Sequence, residues 1–430
     1  MERYSEYKDS GIQWIGEIPS HWEVEPFGRH FTFSKGLPIT KADLTSNGVA
    51  VISYGQIHSK SNKGFTLGKE LIRYVDEKYR ESNPKSLLNS DDFVFADTSE
   101  DIEGAGNFVF NDYNTIIFAG YHTVVARPKD LPFPKYYACL FCSIPWKSQI
   151  QSLVNGVKVY SINKGHLKKT FLILPPLSEQ ERIVKFLEGK VLKIDEYIAD
   201  KEREIQLLKE LKEAEIAKAV TQGLNPNVKM KDSGIPWIGM IPEHWETTKI
   251  NSVFKERREK VSDKIYPPLS VSKQGITPQL ESAVKTDNGD NRKKVNEGDF
   301  VVNSRSDRKG SCGISPYTGS VSLINIVLQP RSDIEGKYFH FLFRSNNYIE
   351  EYYRIGRGIV ADLWTTRYSE MRNIIVPIPP IGEQRAIVAH IETKCAKVDS
   401  LVMEFEAEIE HLKEYKQRLI ADCVTGQIKV

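Results

Sequence analysis

The stretch KDSGIQWIGEIPSHWE at residues 8–23 returns as KDSGIPWIGMIPEHWE at residues 231–246, with 13 of 16 positions identical. A chain that carries one segment twice is assembled from repeated parts, and such self-similarity constrains the fold more than any local propensity. A second pair confirms the duplication. PPLSEQERIVKFLEGKVLKID from Pro175 aligns with PPIGEQRAIVAHIETKCAKVD from Pro379 at a constant offset of 204, without a gap as far as AVTQGL and CVTGQI. The Trp-bearing segments are offset by 223, so the block between Trp segment and Pro-Pro segment is about 19 residues shorter in the second half. The chain alternates variable and conserved parts.

Each conserved part reads as a long helix. In the first, Ser178 with Glu181 three residues on predicts a capping box, whereas the second has Gly382 and Arg385 there. Val184, Leu187, Val191, Ile194, Ile198, Ile205 and Leu208 follow at alternating three- and four-residue spacing, interrupted at Lys201. The second helix carries the same stripe in register: Val388, Ile391, Cys395, Val398, Val402, Phe405, Ile409 and Leu412. Apolar residues repeating every 3.5 positions form a coiled-coil seam, and two matching seams in one chain are expected to pack on each other as an antiparallel pair. At 1.5 Å per residue each helix would run roughly 65 Å.

After the first helix the chain turns through TQGLNPNVKMK into the second Trp segment. The copy expected after the second helix stands instead at residues 8–24, so the chain resembles a closed ring of two units that has been cut open. Trp14, Trp22, Trp237 and Trp245 are expected to pack against helix ends.

Residues 25–174 and 248–378 share landmarks without long identity. DDFVFADTS and GDFVVNSRS predict a strand entering a polar loop, HTVVARP and INIVLQP a later strand, and KYYACLFC and KYFHFLFR apolar-faced helices. The expected fold class is α+β: two α+β domains separated by two long conserved helices that form an antiparallel coiled coil, as a pseudo-twofold repeat. The expected boundaries are 1–174 for the first domain with its Trp segment, 175–224 for the first spacer helix, 225–378 for the second domain and 379–430 for the second spacer helix.

Charge separates these parts. The helical segments carry roughly −2 each, residues 225–378 about +5 and residues 1–174 about +1. Positive charge in the variable blocks is the footprint expected of nucleic-acid binding. NSRSDRKG (303–310), DNRKKV (290–295), FKERREK (254–260), YYRIGRG (352–358) and INKGHLKK (162–169) supply side chains of the types that grip phosphate or pair with base edges. Cys139, Cys142, Cys312, Cys395 and Cys423 are odd in number and scattered, which predicts reduced thiols; the CxxC of Cys139 and Cys142 has no second ligand pair for zinc. No apolar run is long enough for a membrane helix and MERYSEYKDS is no secretory signal, so the expected compartment is the cytoplasm.

No phosphate loop, dinucleotide fingerprint, HExxH or Cys/His array with metal spacing is present. Asp97, Glu100, Asp101 and Glu103 read as a polar loop rather than a metal cluster. In order, twice over, SGIQWIGEIPSHW, DDFVFADTSEDIEGAG, PPLSEQERI and PPIGEQRAI, and AVTQG and CVTGQ resemble the specificity subunits of type I restriction-modification enzymes.

That resemblance implies two target recognition domains, each reading half of a split, asymmetric double-stranded DNA sequence. It implies paired helices that space the domains and dock two modification subunits, in a bacterial or archaeal cell. It further implies no catalysis in this chain. S-adenosylmethionine, ATP and Mg are expected on partner subunits: the methyltransferases, and the restriction and translocase subunits of the full complex. From charge and loop placement, the expected DNA-contacting residues are Tyr121, Lys158, Asn163, Lys164 and His166 in the first domain, and Arg305, Arg308, Lys309, Arg357 and Arg367 in the second. The competing reading is a coiled-coil adaptor that presents two protein-binding domains and reads no DNA.

Overall fold

The computed structural model describes residues 2–156, 158–280, 289–331, 334–357 and 364–430. The chain divides into two compact units, Met1–Lys201 with Ala407–Val430, and Glu202–Glu406. Each unit therefore contains a Trp segment, a variable block, the start of one long helix and the end of the other, as the reading of a ring cut open requires.

The first unit is built on a four-stranded antiparallel sheet in the order Phe108–Phe110, Phe93–Ala96, Thr123–Pro128, Phe31–Lys35. All four residues of Phe93–Ala96 are buried, which suits a strand covered on both faces. The helix Pro134–Cys142 lies on one face, where Phe141 meets Phe93 and Phe95 with ring centroids 5.1 and 5.7 Å apart. A five-stranded mixed sheet lies beside it, in which Val49–Ile52 pairs in parallel with Ile117–Ala119. The second unit repeats the first sheet in the same order: Cys312–Ile314, Phe300–Asn303, Asn325–Pro330, Phe254–Glu256. Its helix Gly336–Arg344 brings Phe343 within 5.0 Å of Phe300 and Phe339 within 5.2 Å of Phe254. The units diverge in the other sheet, which in the second is antiparallel Lys260–Val261, Arg292–Val295 and Gly319–Val321, and in a short pairing of Leu269–Ser272 with Gly275–Pro278. The strand, later strand and helix expected from the paired landmarks are all formed.

A two-stranded ladder leads into each long helix: Glu23–Pro26 with Phe171–Leu174, and Glu246–Lys249 with Ile375–Ile378. The helices span Leu177–Gln222 and Ile381–Val424. The first starts before Ser178, so the expected capping box is not what begins it. The Pro176 carbonyl accepts from the N–H groups of Glu179 and Gln180 at 2.8 and 3.1 Å, and Pro380 does the same for Glu383 and Gln384 at 2.8 and 3.0 Å. Proline suits the entry because it has no N–H to satisfy and its φ is already near the helical value. The buried amides of Gln180 and Gln384 reach back to the carbonyls of Pro175 and Pro379, both at 2.8 Å. Both helices thus begin alike, and Gly382 loses nothing relative to Ser178.

Within each unit the helices run antiparallel. In the first, Val184, Leu187, Val191, Ile194, Ile198 and Ile409 are buried and Leu412 is half-buried. Asp195 pairs with Lys416 at 2.6 Å and Lys201 with Glu408 at 3.7 Å, so the partner number falls as the first rises. Lys201, which interrupts the stripe, keeps its stem half-buried and its ammonium over the Tyr197 ring at 5.5 Å. In the second unit Ile205, Val388, Ile391 and Val402 are buried, with Leu208, Cys395, Val398 and Phe405 half-buried, flanked by Lys209–Glu406 at 3.8 Å and Lys212–Asp399 at 2.7 Å.

Candidate nucleic-acid interface

The four-stranded sheet of each unit delivers its longest loops to one end. In the first unit the loop after Phe93–Ala96 is bound by the short pairing of Thr98–Ser99 with Tyr160–Ser161, and Ile162 N–H donates to the Asp97 carbonyl at 2.8 Å. This brings residues 158–166 beside the turn at Tyr121 and His122. His122 holds a φ of 54°, a left-handed conformation that costs a non-glycine residue energy and recurs at binding sites. Its ring and that of Tyr121 lie edge-on to Tyr54, with centroids 5.4 and 5.5 Å apart.

These elements surround a cleft of about 740 Å³ with Tyr54, His58, Glu100, Asp101, Asn107 and His122 in its lining. Its floor is fixed by a chain of polar contacts. Lys147 donates to the Asn107 side-chain oxygen at 2.8 Å, Asn107 Nδ2 lies 3.2 Å from His58 Nδ1, and His58 Nε2 lies 2.8 Å from the Thr98 carbonyl. The carbonyl can only accept, so Nε2 carries the proton and Nδ1 accepts. Burial lowers the basicity of Lys147.

Of the residues expected to contact DNA here, Tyr121 is half-buried at the cleft edge, and Lys158 is exposed next to Val159, which lines the cleft. Lys164 is exposed on the short helix Lys164–Lys168. Asn163 caps that helix, accepting from Gly165 and His166 N–H at 2.7 and 3.1 Å, so its side-chain oxygen is engaged in holding the loop. His166 is half-buried, and its Nδ1 is buried without a hydrogen-bond partner among the described residues.

The five cations expected in the second unit lie on segments that backbone pairing at Thr365 brings together. The loop after Phe300–Asn303 carries Arg305, Arg308 and Lys309, and Arg305 bridges to Thr365. Arg357 exchanges both backbone hydrogen bonds with Thr365 at 2.9 and 3.0 Å, and Arg367 stands two residues further on. Arg305, Lys309, Tyr353, Trp364 and Thr366 line one recess. Lys309 sits 4.7 Å from the centroid of Tyr353, which in turn stacks on Trp364 at 6.1 Å. The cations pair with acids: Arg305 and Arg308 with exposed Asp307 at 3.0 and 3.6 Å, Lys309 with exposed Glu350 at 2.6 Å, and Arg357 with half-buried Glu370 at 3.8 Å. Exposed pairs of this kind are worth roughly 0–1 kcal/mol each, so an incoming phosphate can displace the acid at small cost.

Several residues at these loops escaped the sequence reading. Trp364 is one, since a lone Trp near the basic stretch offers no periodicity. Tyr54 and His122 are others; their proximity depends on pairing between distant strands. The polar loop Asp97–Glu103 occupies the place that the basic loop Asn303–Lys309 holds in the other unit.

The model for the type I restriction modification DNA specificity domain matches residues 19–207. The putative type I restriction enzyme MjaX specificity subunit of Methanocaldococcus jannaschii is 24% identical over 432 residues, covering 97% of this chain and 96% of its own. Among solved structures, a chain from a study of complex assembly and conformational transition of the type I R-M system aligns with a TM-score of 0.69 at 17% identity, over 96% of this chain and 99% of that one. The HsdS subunit of Thermoanaerobacter tengcongensis aligns with a TM-score of 0.50 at 17% identity, over 96% and 98%. The two structures share the fold, the family model matches residues 19–207, and the relative shares the sequence pattern along nearly the whole chain. The chain is thus similar over nearly its whole length to the specificity subunits of type I restriction-modification enzymes.

Proposed function

We propose that this chain selects the DNA sequence on which a type I restriction-modification complex acts, each unit reading one half of a split, asymmetric target. The observation that carries this reading is the pairing of Arg305 and Arg357 with Thr365, which joins the segment carrying Arg305, Arg308 and Lys309 to those carrying Arg357 and Arg367, beside the stacked rings of Tyr353 and Trp364. Arginine and lysine contacts to phosphate supply affinity and its salt dependence, while a few side chains at base edges supply discrimination. The first unit would read with a different chemistry, through the cleft walled by Tyr54, Glu100, Asp101 and His122. Carboxylates accept from the amino groups of cytosine, and arginine donates to guanine.

Two modest half-site readings on one chain become a single tight one through effective concentration. The chain is not itself catalytic, in keeping with its relatives. In this proposal methyl transfer from S-adenosylmethionine belongs to two modification subunits docked on the chain. ATP and Mg belong to restriction and translocase subunits, and the assembly works in the cytoplasm of a bacterial or archaeal cell. Among the described residues no helix is long and apolar enough to cross a membrane. The match to the DNA specificity domain favours this reading over an adaptor that reads no DNA. The test is binding of duplex DNA by the chain assembled with its modification subunits. Replacing Arg305 and Arg367 together with Ala is expected to weaken binding and flatten its salt dependence, and unchanged binding would oppose the proposal.

A further inference from the structure

Glu179 and Glu383 hold equivalent positions, and the two units surround them differently. In the first unit Glu179 Oε1 pairs with His21 Nε2 at 2.8 Å, and Oε2 accepts from Trp22 Nε1 at 3.0 Å and from the Tyr4 hydroxyl at 2.6 Å. The Tyr4 ring lies edge-on to Trp22 with centroids 5.7 Å apart, and 5.5 Å from His21. In the second unit His244 and Trp245 hold Glu383 in the same way, at 2.6 and 2.9 Å. At the offset of 223, however, the place of Tyr4 falls to Asn227, which is exposed on the turn between helix and Trp segment.

The consequence is visible in the surroundings. Glu179 is 12% exposed and Glu383 is 42% exposed. Beside Glu383 lies a cavity of about 200 Å³ lined by Gly223, Pro242, His244, Glu383, Ala386 and Ile387 among others. Ala386 stands where the first unit has Arg182, which further opens the entrance. Pro242 and Ile387 give the cavity apolar walls. A carboxylate offers about four lone-pair sites, and the two donors of the second unit leave acceptor capacity on Glu383.

We propose that this cavity is a docking seat for a tyrosine side chain presented by a partner protein, held as the first unit holds its own Tyr4. A phenol fits both halves of the site, its ring against the apolar walls and its hydroxyl donating to Glu383. Phenylalanine would leave the carboxylate unmet, and lysine would leave the walls without a ring. The modification subunit is the partner that carries this tyrosine, and only that choice rests on the function proposed above.

The first arm of the test uses N-acetyl-L-tyrosinamide as probe with the full chain, its dissociation constant read by ligand-observed NMR. The tyrosine probe is expected to bind, N-acetyl-L-phenylalaninamide to bind roughly tenfold more weakly or worse for want of the charged hydrogen bond, and Asn227→Tyr to abolish probe binding because the chain then fills its own seat. Asn227→Tyr should melt no lower than the parent chain. No binding, equal binding of the two probes, or unchanged binding by Asn227→Tyr overturns the proposal. The second arm measures assembly with the modification subunit. Asn227→Tyr is expected to weaken it by roughly an order of magnitude, while Asn227→Ser leaves it unchanged. Full-strength assembly by Asn227→Tyr overturns the docking role. Whatever methylation remains in that variant is expected to fall on the same sequence, so a changed sequence would count against the proposed function instead.

Discussion

The indole N–H of Trp22 donates to the Glu179 carboxylate at 3.0 Å across 157 residues of sequence, and Trp245 repeats the contact with Glu383 at 2.9 Å across 138. Both indoles are fully buried, and both reach the glycine beyond a helix end. A Cβ added at Gly426 would stand 3.1 Å from Trp22, and one at Gly223 would stand 3.1 Å from Trp245. Each glycine also has a φ above +70°, which other residues rarely adopt. Trp22 and Trp245 therefore lock the start of one helix against the end of the other within each unit, which is why the chain carries the Trp segment twice. Trp237 is half-buried against Tyr348, with centroids 5.6 Å apart, whereas Trp14 is exposed.

Glu179→Ala leaves the buried donors of Trp22 and Tyr4 without an acceptor and is expected to cost about 2–3 kcal/mol. Glu383→Ala, at a more exposed carboxylate, should cost about 1 kcal/mol. Urea denaturation of the two variants measures the difference, and equal losses would contradict the account of the two seats.

The helix seam makes a sharper contrast. Ile194→Asp and Val398→Asp place an uncompensated charge in the seam and are expected to cost several kcal/mol, on the order of 3–5. Leu207→Asp, on a side chain exposed to solvent, should change stability by no more than about 0.5 kcal/mol. Thermal melts of the three variants check this ordering.

His340 links stability to pH. Burial, then the cations of Arg344 and Lys337, press its pKa from the ordinary 6.5 to about 4. Between those values the unfolded chain takes up a proton that the native state refuses. The stabilisation is thus fully present above pH 6.5 and lost as pH falls through the native value. The expected loss across that window is on the order of 2–3 kcal/mol, read from urea midpoints at a series of pH values. In His340→Phe this part of the pH dependence should disappear.

The ends of the chain meet where the other unit has continuous backbone. Lys429 N–H donates to the Glu2 carbonyl at 2.9 Å, and Arg3 donates to Gln427 at 3.0 Å. A circular permutant that joins residues 430 and 1 through a short glycine-rich linker and opens between Asn225 and Asn227, both exposed, is expected to fold with a melting temperature within a few degrees of the parent. Failure to fold would show that the ring reading is wrong.

What the sequence made legible follows physical range. The stripes from Val184 to Leu208 and from Val388 to Leu412 repeat a short period over many turns, so both helices and their pairing could be read directly. The start of the first helix could not, because Ser178 and Glu181 imitate a capping box while Pro176 does the work. Glu179 was invisible as a clamp since its donors lie elsewhere in the chain. Arg305, Arg308 and Lys309 stand out in the sequence by type and cluster, whereas the pairing of Thr365 with Arg305 and Arg357 does not. Asn163 looked like a DNA contact because the same amide chemistry serves base edges and helix caps.

The central claim is that the two units read separate halves of one target. The most direct measurement is the map of methylated sequences in cells carrying this chain with its modification subunits, before and after residues 248–378 are replaced by the corresponding block of a relative with a different target. The account predicts that one half of the methylated sequence changes and the other half stays as it was. A change in both halves, or full methylation of the original sequence, would contradict it.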